Sequence, residues 1–158
     1  MNEMTRELIG KVQDSQKELT QLLQSVAAVQ DWQPDQDEWS FRFTAAHLAT
    51  VDRECYQDRV VRIAAGENPR FESYFNTGRD FNREDLLDSL RSWQGTRGEI
   101  IGFVSGLPGE KLTLTGTHAA FGTLTVQGVL KLMLDHDLEH IGDLKKMIAT
   151  YRVSIHGN

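Results

Sequence analysis

Apolar residues recur three and four positions apart in four segments of this 158-residue chain, a spacing that places them on one face of an α-helix. The periodicity predicts helices over residues 3–29, 44–65, 82–104 and 125–151. All three prolines fall between these segments, at Pro34, Pro69 and Pro108. Because the four helices have similar lengths of about 20–27 residues, we expect an all-α four-helix bundle with long connections. We expect residues 1–158 to form one domain.

Capping residues predict where the helices begin. Ser40 or Thr44 can cap the second helix, Asn82 the third and Thr125 the fourth. Before the fourth helix, the alternating segment KLTLT at residues 111–115 favours a short extended stretch.

Composition and charge limit the classes of function. The net charge of −6 argues against a nucleic-acid-binding surface, which needs clustered basic residues. The acidic runs at residues 35–38 and 82–88 are typical of solvated surface. We expect neither a signal peptide nor a membrane helix, because the N-terminus is polar and no apolar run is long enough. The single cysteine, Cys55, excludes an internal disulfide and favours a cytoplasmic location; it is interpreted as a core residue, with a redox centre as the alternative.

Two histidines, His136 and His140, lie four residues apart on the apolar face of the predicted fourth helix. Side chains four apart on a helix are neighbours about 6 Å apart at Cβ, and two imidazoles so placed can bind one metal ion. Two ligands are too few for a tight site. A third imidazole is available from His47, near the start of the second helix, where it shares a face with Glu54 and Val61.

A bundle that faces the second helix toward the fourth would bring these three imidazoles together. Three histidines with a free position make an open transition-metal site, and imidazole suits Zn, Ni, Cu or Fe. The alternative is that all three are buried core residues. Two carboxylates lie near the predicted site, Asp143 and Glu54, either of which can orient an imidazole or act as general base. Their other interpretation is a solvated carboxylate or an interhelical ion pair.

Other polar residues carry weaker predictions. Arg97 lies on the apolar side of the third helix, where it either neutralises one of these two carboxylates, holds an anionic substrate, or extends to solvent from the edge. His118 lies in a loop and is a candidate pocket residue, whereas His156 is predicted to lie in a frayed tail. Three glycines of the third helix form either a face for close helix packing or a loosened helix end: Gly95, Gly98 and Gly102.

Two segments together resemble the DinB-like superfamily, which includes YfiT-type and bacillithiol-transferase-type proteins. They are EWSFRFTAAHLATVD at residues 38–52 and FGTLTVQGVLKLMLDHDLEHIGDL at residues 121–144. The resemblance covers nearly the whole chain and implies a DinB/YfiT-like four-helix bundle with His47, His136 and His140 as ligands of a divalent metal, such as Zn, Ni, Fe or Mn. The family usually has Gln at the position of Asp143, so the acidic residue is a departure from the pattern.

The resemblance also implies a metal-dependent enzyme that activates water or a low-molecular-weight thiol, as a hydrolase or thiol S-transferase acting on a small molecule. A homodimer is expected, without nucleic-acid or membrane partners. Two alternatives stay open. One is a non-catalytic, metal-binding dimeric bundle with a structural or stress-related role, closed by a fourth ligand from Asp143 or Glu54. The other is a bundle without metal, in which the histidines bond one another or nearby carboxylates.

Overall fold

The computed structural model describes residues 1–76 and 78–156, and helices dominate both ranges. The α-helices are α1 Glu3–Gln24, α2 Phe41–Val51, α3 Gln57–Ala64, α4 Leu86–Ser105 and α5 Val126–His156. A π-helical turn, Asp52–Tyr56, joins α2 to α3 without a break, so the two form one long rod. Helix α1 packs mainly on α5, and α2 mainly on α4. The described residues thus confirm the predicted all-α four-helix bundle.

The π-helical turn changes which side chains of the α2–α3 rod face the core. Buried residues recur there at intervals of four: Thr44, Leu48, Asp52, Tyr56, Val60 and Ala64. In an ideal α-helix each step of four advances about 40° beyond a full turn, so five steps would rotate the buried face by about 200°. The wider π turn absorbs part of this drift. The predicted shared face of His47 and Val61 is therefore wrong, and Val61 is 42% exposed.

Two of the predicted helix starts are confirmed. Ser40 caps α2, because its side chain accepts a hydrogen bond from the backbone N–H of Phe43. Thr125 precedes α5, and its hydroxyl accepts from the backbone N–H of Gly128 at 3.1 Å.

The predicted start of the third helix is wrong. Asp85, not Asn82, caps α4, since the Asp85 carboxylate accepts from the backbone N–H of Asp88. Asn82 lies in the turn before it.

Two helix ends also differ from the prediction. Helix α1 ends at Gln24, and a short 3-10 turn, Ala27–Val29, covers the rest of the predicted segment. Helix α5 continues to His156, which therefore lies in its last turn rather than in a tail. Gly157 and Asn158, the rest of the predicted tail, and Thr77, in the connection after α3, lie outside the described residues.

A small three-stranded sheet joins the connection between α3 and α4 to the connection between α4 and α5. Its strands are β1 Arg70–Phe71, β2 Gly116–His118 and β3 Gly122–Leu124, with β2 parallel to β1 and antiparallel to β3. The extended segment predicted at 111–115 is misplaced, because Gly109–Thr113 forms a 3-10 helix after Pro108. Pairing begins at Gly116, where a Cβ atom would lie 2.9 Å from the Pro69 carbonyl oxygen, so only glycine allows this approach.

His118 is buried in β2, and its predicted role as a pocket residue is wrong. Its Nδ1 atom accepts hydrogen bonds from the backbone N–H groups of Ala120 and Phe121, at 2.9 and 3.2 Å. The imidazole therefore holds the turn between β2 and β3, and only 2% of the residue is exposed.

A polar layer divides the apolar interior into two clusters. One cluster lies toward the sheet and contains Val12, Ile100 and Met133; the other contains Leu19, Trp93 and Leu144. Each of the four rods contributes one polar side chain to the layer between the two clusters: Ser15, Asp52, Arg97 and Asp137.

Arg97 bonds to the other three rods from the centre of this layer. Its guanidinium donates to Asp52 through Nε (2.8 Å) and Nη2 (3.1 Å), and to Asp137 through Nη1 (2.7 Å) and Nη2 (3.1 Å). Nη1 also donates to the Val12 carbonyl of α1, and the Ser15 hydroxyl donates to Asp137. All five guanidinium N–H groups thus have an acceptor. Arg97 therefore neutralises the carboxylates of Asp52 and Asp137, not Asp143 or Glu54 as predicted, and it does so from full burial rather than from the edge.

The three glycines of α4 do not serve close packing within the chain. Gly95, Gly98 and Gly102 are exposed, and a Cβ added at any of them would meet no described atom within 4 Å. The predicted homodimer stays a prediction.

Cys55 is buried in the cluster toward the sheet, as expected of a core residue. Over residues 1–76 and 78–156, no helix combines the length and apolar character that crossing a membrane requires.

Replacing Arg97 with Met tests the polar layer, because it leaves the Asp52 and Asp137 carboxylates buried without their shared cation. We expect the free energy of unfolding to fall by about 3–5 kcal/mol, measured by urea denaturation. The matched control is Arg91→Met, which removes an exposed arginine of the same helix and should cost less than about 1 kcal/mol. Similar losses in the two variants would contradict the structural role of Arg97.

Candidate metal centre

The three imidazoles singled out in the sequence converge in the structure. Helix α2 carries His47, and α5 carries His136 and His140 on successive turns. The Nε2 atom of His136 lies 3.2 Å from Nε2 of His47 and 3.1 Å from Nε2 of His140. Ring nitrogens of all three residues lie within 4.8 Å of one another. One small volume is therefore surrounded by three nitrogen donors.

This geometry fits a bound cation. Two ligands that are each about 2.05 Å from one tetrahedral ion are about 3.3 Å apart, close to the observed separations. Hydrogen bonds alone satisfy the three imidazoles poorly. Nε2 of His136 faces two other Nε2 atoms, but a neutral imidazole nitrogen either donates or accepts a hydrogen bond and cannot do both. The donor set, three imidazoles without thiolate, suits a divalent transition metal.

The surroundings keep the imidazoles uncharged. Burial lowers the pKa of His47 to about 3, and the neighbouring His140 and His136 act in the same direction. Burial also lowers the pKa of His136 to about 3. For His140 burial again lowers the pKa, although the carboxylates of Asp143 and Glu139 act against it. Neutral imidazole is the form that binds metals.

Asn76, in the connection after α3, orients His47. Its side-chain amide nitrogen, Nδ2, lies 3.0 Å from Nδ1 of His47. An amide and an imidazole can bond in either sense, depending on the tautomer and the orientation of the amide. If the amide is turned over so that Oδ1 accepts from Nδ1–H, the Nε2 lone pair of His47 points toward the other two imidazoles, as a ligand role requires.

Aromatic rings enclose two sides of the histidine cluster. Trp39 lies nearly parallel to His140, with ring centroids 5.9 Å apart, and 4.6 Å from the ring of His47. Tyr56, in the π-helical turn, lies 6.0 Å from the ring of His136. Because Ser40 caps α2, Trp39 is fixed directly before the first turn of the helix that carries His47.

A cavity of about 780 Å³ opens beside His136 and His140. It lies between the segment before α2 and one face of α5. Its lining residues are Pro34, Asp37, Glu38, Trp39, Thr44, His136, Glu139, His140, Asp143, Leu144, Lys146, Met147 and Thr150. The volume is in the usual range for small-molecule sites.

The two candidate carboxylates have different surroundings. Asp143 is exposed in the cavity lining, one turn from His140. Glu54 instead accepts hydrogen bonds from Arg79, at 2.5 and 2.9 Å, and from the hydroxyl of Tyr74 at 3.0 Å. The structure thus brings Asp143 to the cavity and pairs Glu54 with other partners.

Family membership follows from a comparison of the whole sequence. The profile of the DinB superfamily matches residues 11–144. The chain belongs to the DinB superfamily. The match includes His47, His136 and His140, so the histidine cluster lies within the part of the chain that defines this DinB protein as a family member.

A solved structure has the same fold. It is YfiT from Bacillus subtilis, described as a probable metal-dependent hydrolase with an unusual four-helix bundle topology. The two structures superpose with a TM-score of 0.77 at 19% sequence identity, over 92% of this chain and 86% of YfiT. At this identity the likeness establishes the fold. Curated proteins gave no match.

Sequence reasoning missed two residues of the site. Trp39 carried a signal, since it directly precedes the helix-capping Ser40 and must therefore lie close to the first turn of α2. Asn76 carried none, because it lies in an irregular connection 29 residues after its partner His47.

Proposed function

We propose that this DinB protein is a metal-dependent enzyme that activates water or a low-molecular-weight thiol for hydrolysis or S-transfer on a small molecule. In this proposal His47, His136 and His140 bind one divalent transition metal. The observation that carries it is the convergence of three neutral imidazoles at the wall of an open cavity. A divalent ion at such a site supplies positive charge that lowers the pKa of water or a thiol.

The cavity supports an open site rather than a closed structural one. Closed structural zinc sites have four protein ligands, whereas catalytic sites keep one position for water or substrate. Glu54, one candidate for a fourth ligand, is paired with Arg79 and Tyr74. The cavity lies on the side of His136 and His140 and has room for a small molecule.

The side chains of this chain would divide the remaining work. Asn76 fixes the orientation of His47, and Trp39 packs against two of the imidazoles and limits their motion. Asp143 lines the cavity and is the candidate general base, because an exposed carboxylate there can accept the proton that water or a thiol releases.

Metal content tests the proposed ligand set. We expect wild-type protein to hold about one equivalent of a transition metal, and His140→Ala to lose it, because only two of three ligands remain. Elemental mass spectrometry of dialysed, tag-free proteins gives the measurement, with circular dichroism to show that the helices are retained.

The control is His156→Ala, which removes an exposed histidine from the last turn of α5 and should retain full metal content. Wild-type protein that binds no metal after incubation with Zn²⁺, Ni²⁺, Fe²⁺ or Mn²⁺ would refute the proposal. Equal metal content in His140→Ala and wild type would refute the ligand set.

Asn76→Ala tests the orientation of His47. Loss of the outer hydrogen-bond partner of a metal-binding histidine typically costs about 10–100-fold in metal affinity, and we expect a loss in that range. Competition with a chelator measures it. Asn82→Ala, which removes an exposed asparagine from the same connection, should leave affinity unchanged. A loss of unfolding free energy without a change in metal affinity would show that Asn76 only supports the fold.

A further inference from the structure

The cavity beside the histidine cluster is lined by an excess of acidic side chains. Four carboxylates face it, from Asp37, Glu38, Glu139 and Asp143, against one ammonium group, from Lys146. Throughout residues 1–76 and 78–156, none of these five groups takes part in an ion pair. The lining therefore carries a net charge that no neighbouring side chain neutralises.

These charges come from two separate parts of the chain. Asp37 and Glu38 lie in the segment before α2, and Glu139 and Asp143 lie one turn apart on α5. The fold brings them to opposite walls of one cavity, whose concave shape strengthens the local potential. Like charges across a cavity repel each other and favour a ligand of opposite charge.

The aromatic wall gives an independent indication of the same ligand chemistry. Trp39 lines the cavity and remains 39% exposed, although it also packs against His47 and His140. Indole is the side chain that attracts ammonium groups most strongly through its π face. An exposed indole beside unpaired carboxylates attracts a cationic group both through the ring and through the opposite charges.

We propose that the small molecule bound in this cavity carries a positive charge, as a primary or quaternary ammonium group close to its reacting atom. The inference rests on the proposed function, which it narrows to a substrate class. Anionic substrates and thiols that carry carboxylates are disfavoured. The three imidazoles are neutral, and a divalent ion whose charge is reduced by one bound thiolate would leave the cavity net negative.

Two small thiols of opposite charge provide the test. Cysteamine carries an ammonium group, and 3-mercaptopropionate carries a carboxylate at a similar distance from sulfur. Each is titrated into protein loaded with Co²⁺, whose visible absorption spectrum reports both occupancy of the histidine cluster and binding of the thiol. We expect wild-type protein to bind cysteamine more tightly, with a preference that falls as ionic strength rises.

The decisive quantity is the change in this preference between variants, because the ammonium group of cysteamine also alters the thiol pKa. In Asp37→Asn/Glu38→Gln we expect the ratio of the two dissociation constants to shift about fivefold toward 3-mercaptopropionate. In Lys146→Gln it should shift the other way. A control with the same change in net charge outside the lining, Asp14→Asn/Glu110→Gln, should keep the wild-type ratio.

The outcomes separate this inference from the proposed function. In the first outcome, Co²⁺ binds through the histidines, but the ratio of the two dissociation constants is the same in wild type and Asp37→Asn/Glu38→Gln. This result would overturn the cationic substrate and leave the metal site intact. A changed Co²⁺ spectrum of that variant before thiol is added would show that these carboxylates serve the metal instead. If Co²⁺ does not bind, or binds equally well to wild type and His140→Ala, both proposals are overturned.

Discussion

The buried guanidinium of Arg97 is the interaction on which the rest of the bundle depends. It donates hydrogen bonds to carboxylates on two other rods and to a backbone carbonyl on the fourth. The Ser15 hydroxyl donates a further bond to the Asp137 carboxylate. A buried ion pair of this kind adds little net stability compared with apolar packing, since both charges lose their hydration. Its bonds are directional, however, so it specifies one alignment of the rods.

That alignment also positions the histidine cluster. Asp52 follows His47 by five residues, and Asp137 directly follows His136. Because Arg97 bonds both aspartates, α2 and α5 are held at the same height, and their histidines meet beside the polar layer. A shift of one helical turn, about 5.4 Å along either axis, would separate the imidazoles. The π-helical turn begins at Asp52 and lets the rod continue with Cys55 and Tyr56 buried.

The chemistry of the site depends on a contrast between buried and exposed groups. The imidazoles are neutral because burial penalises their charged forms, whereas the carboxylates of the cavity lie at its solvent-exposed walls and need no partner. Nitrogen donors for a cation thus stand next to a negatively charged space. Asp143, one turn from His140, adds to this negative charge.

Local sequence determined the four helices and the histidines of the candidate metal site. Periodicity and proline positions predicted four helices, because burial of one apolar face leaves a regular trace in the sequence, and spacing placed His136 and His140 on one face. Tertiary structure alone decided what depends on contacts between distant segments. The pairing of Glu54 with Arg79, the approach of Asn76 to His47 and the acidic cavity join residues far apart in the chain. No local pattern encodes these contacts, because their energies depend on how the rods are aligned.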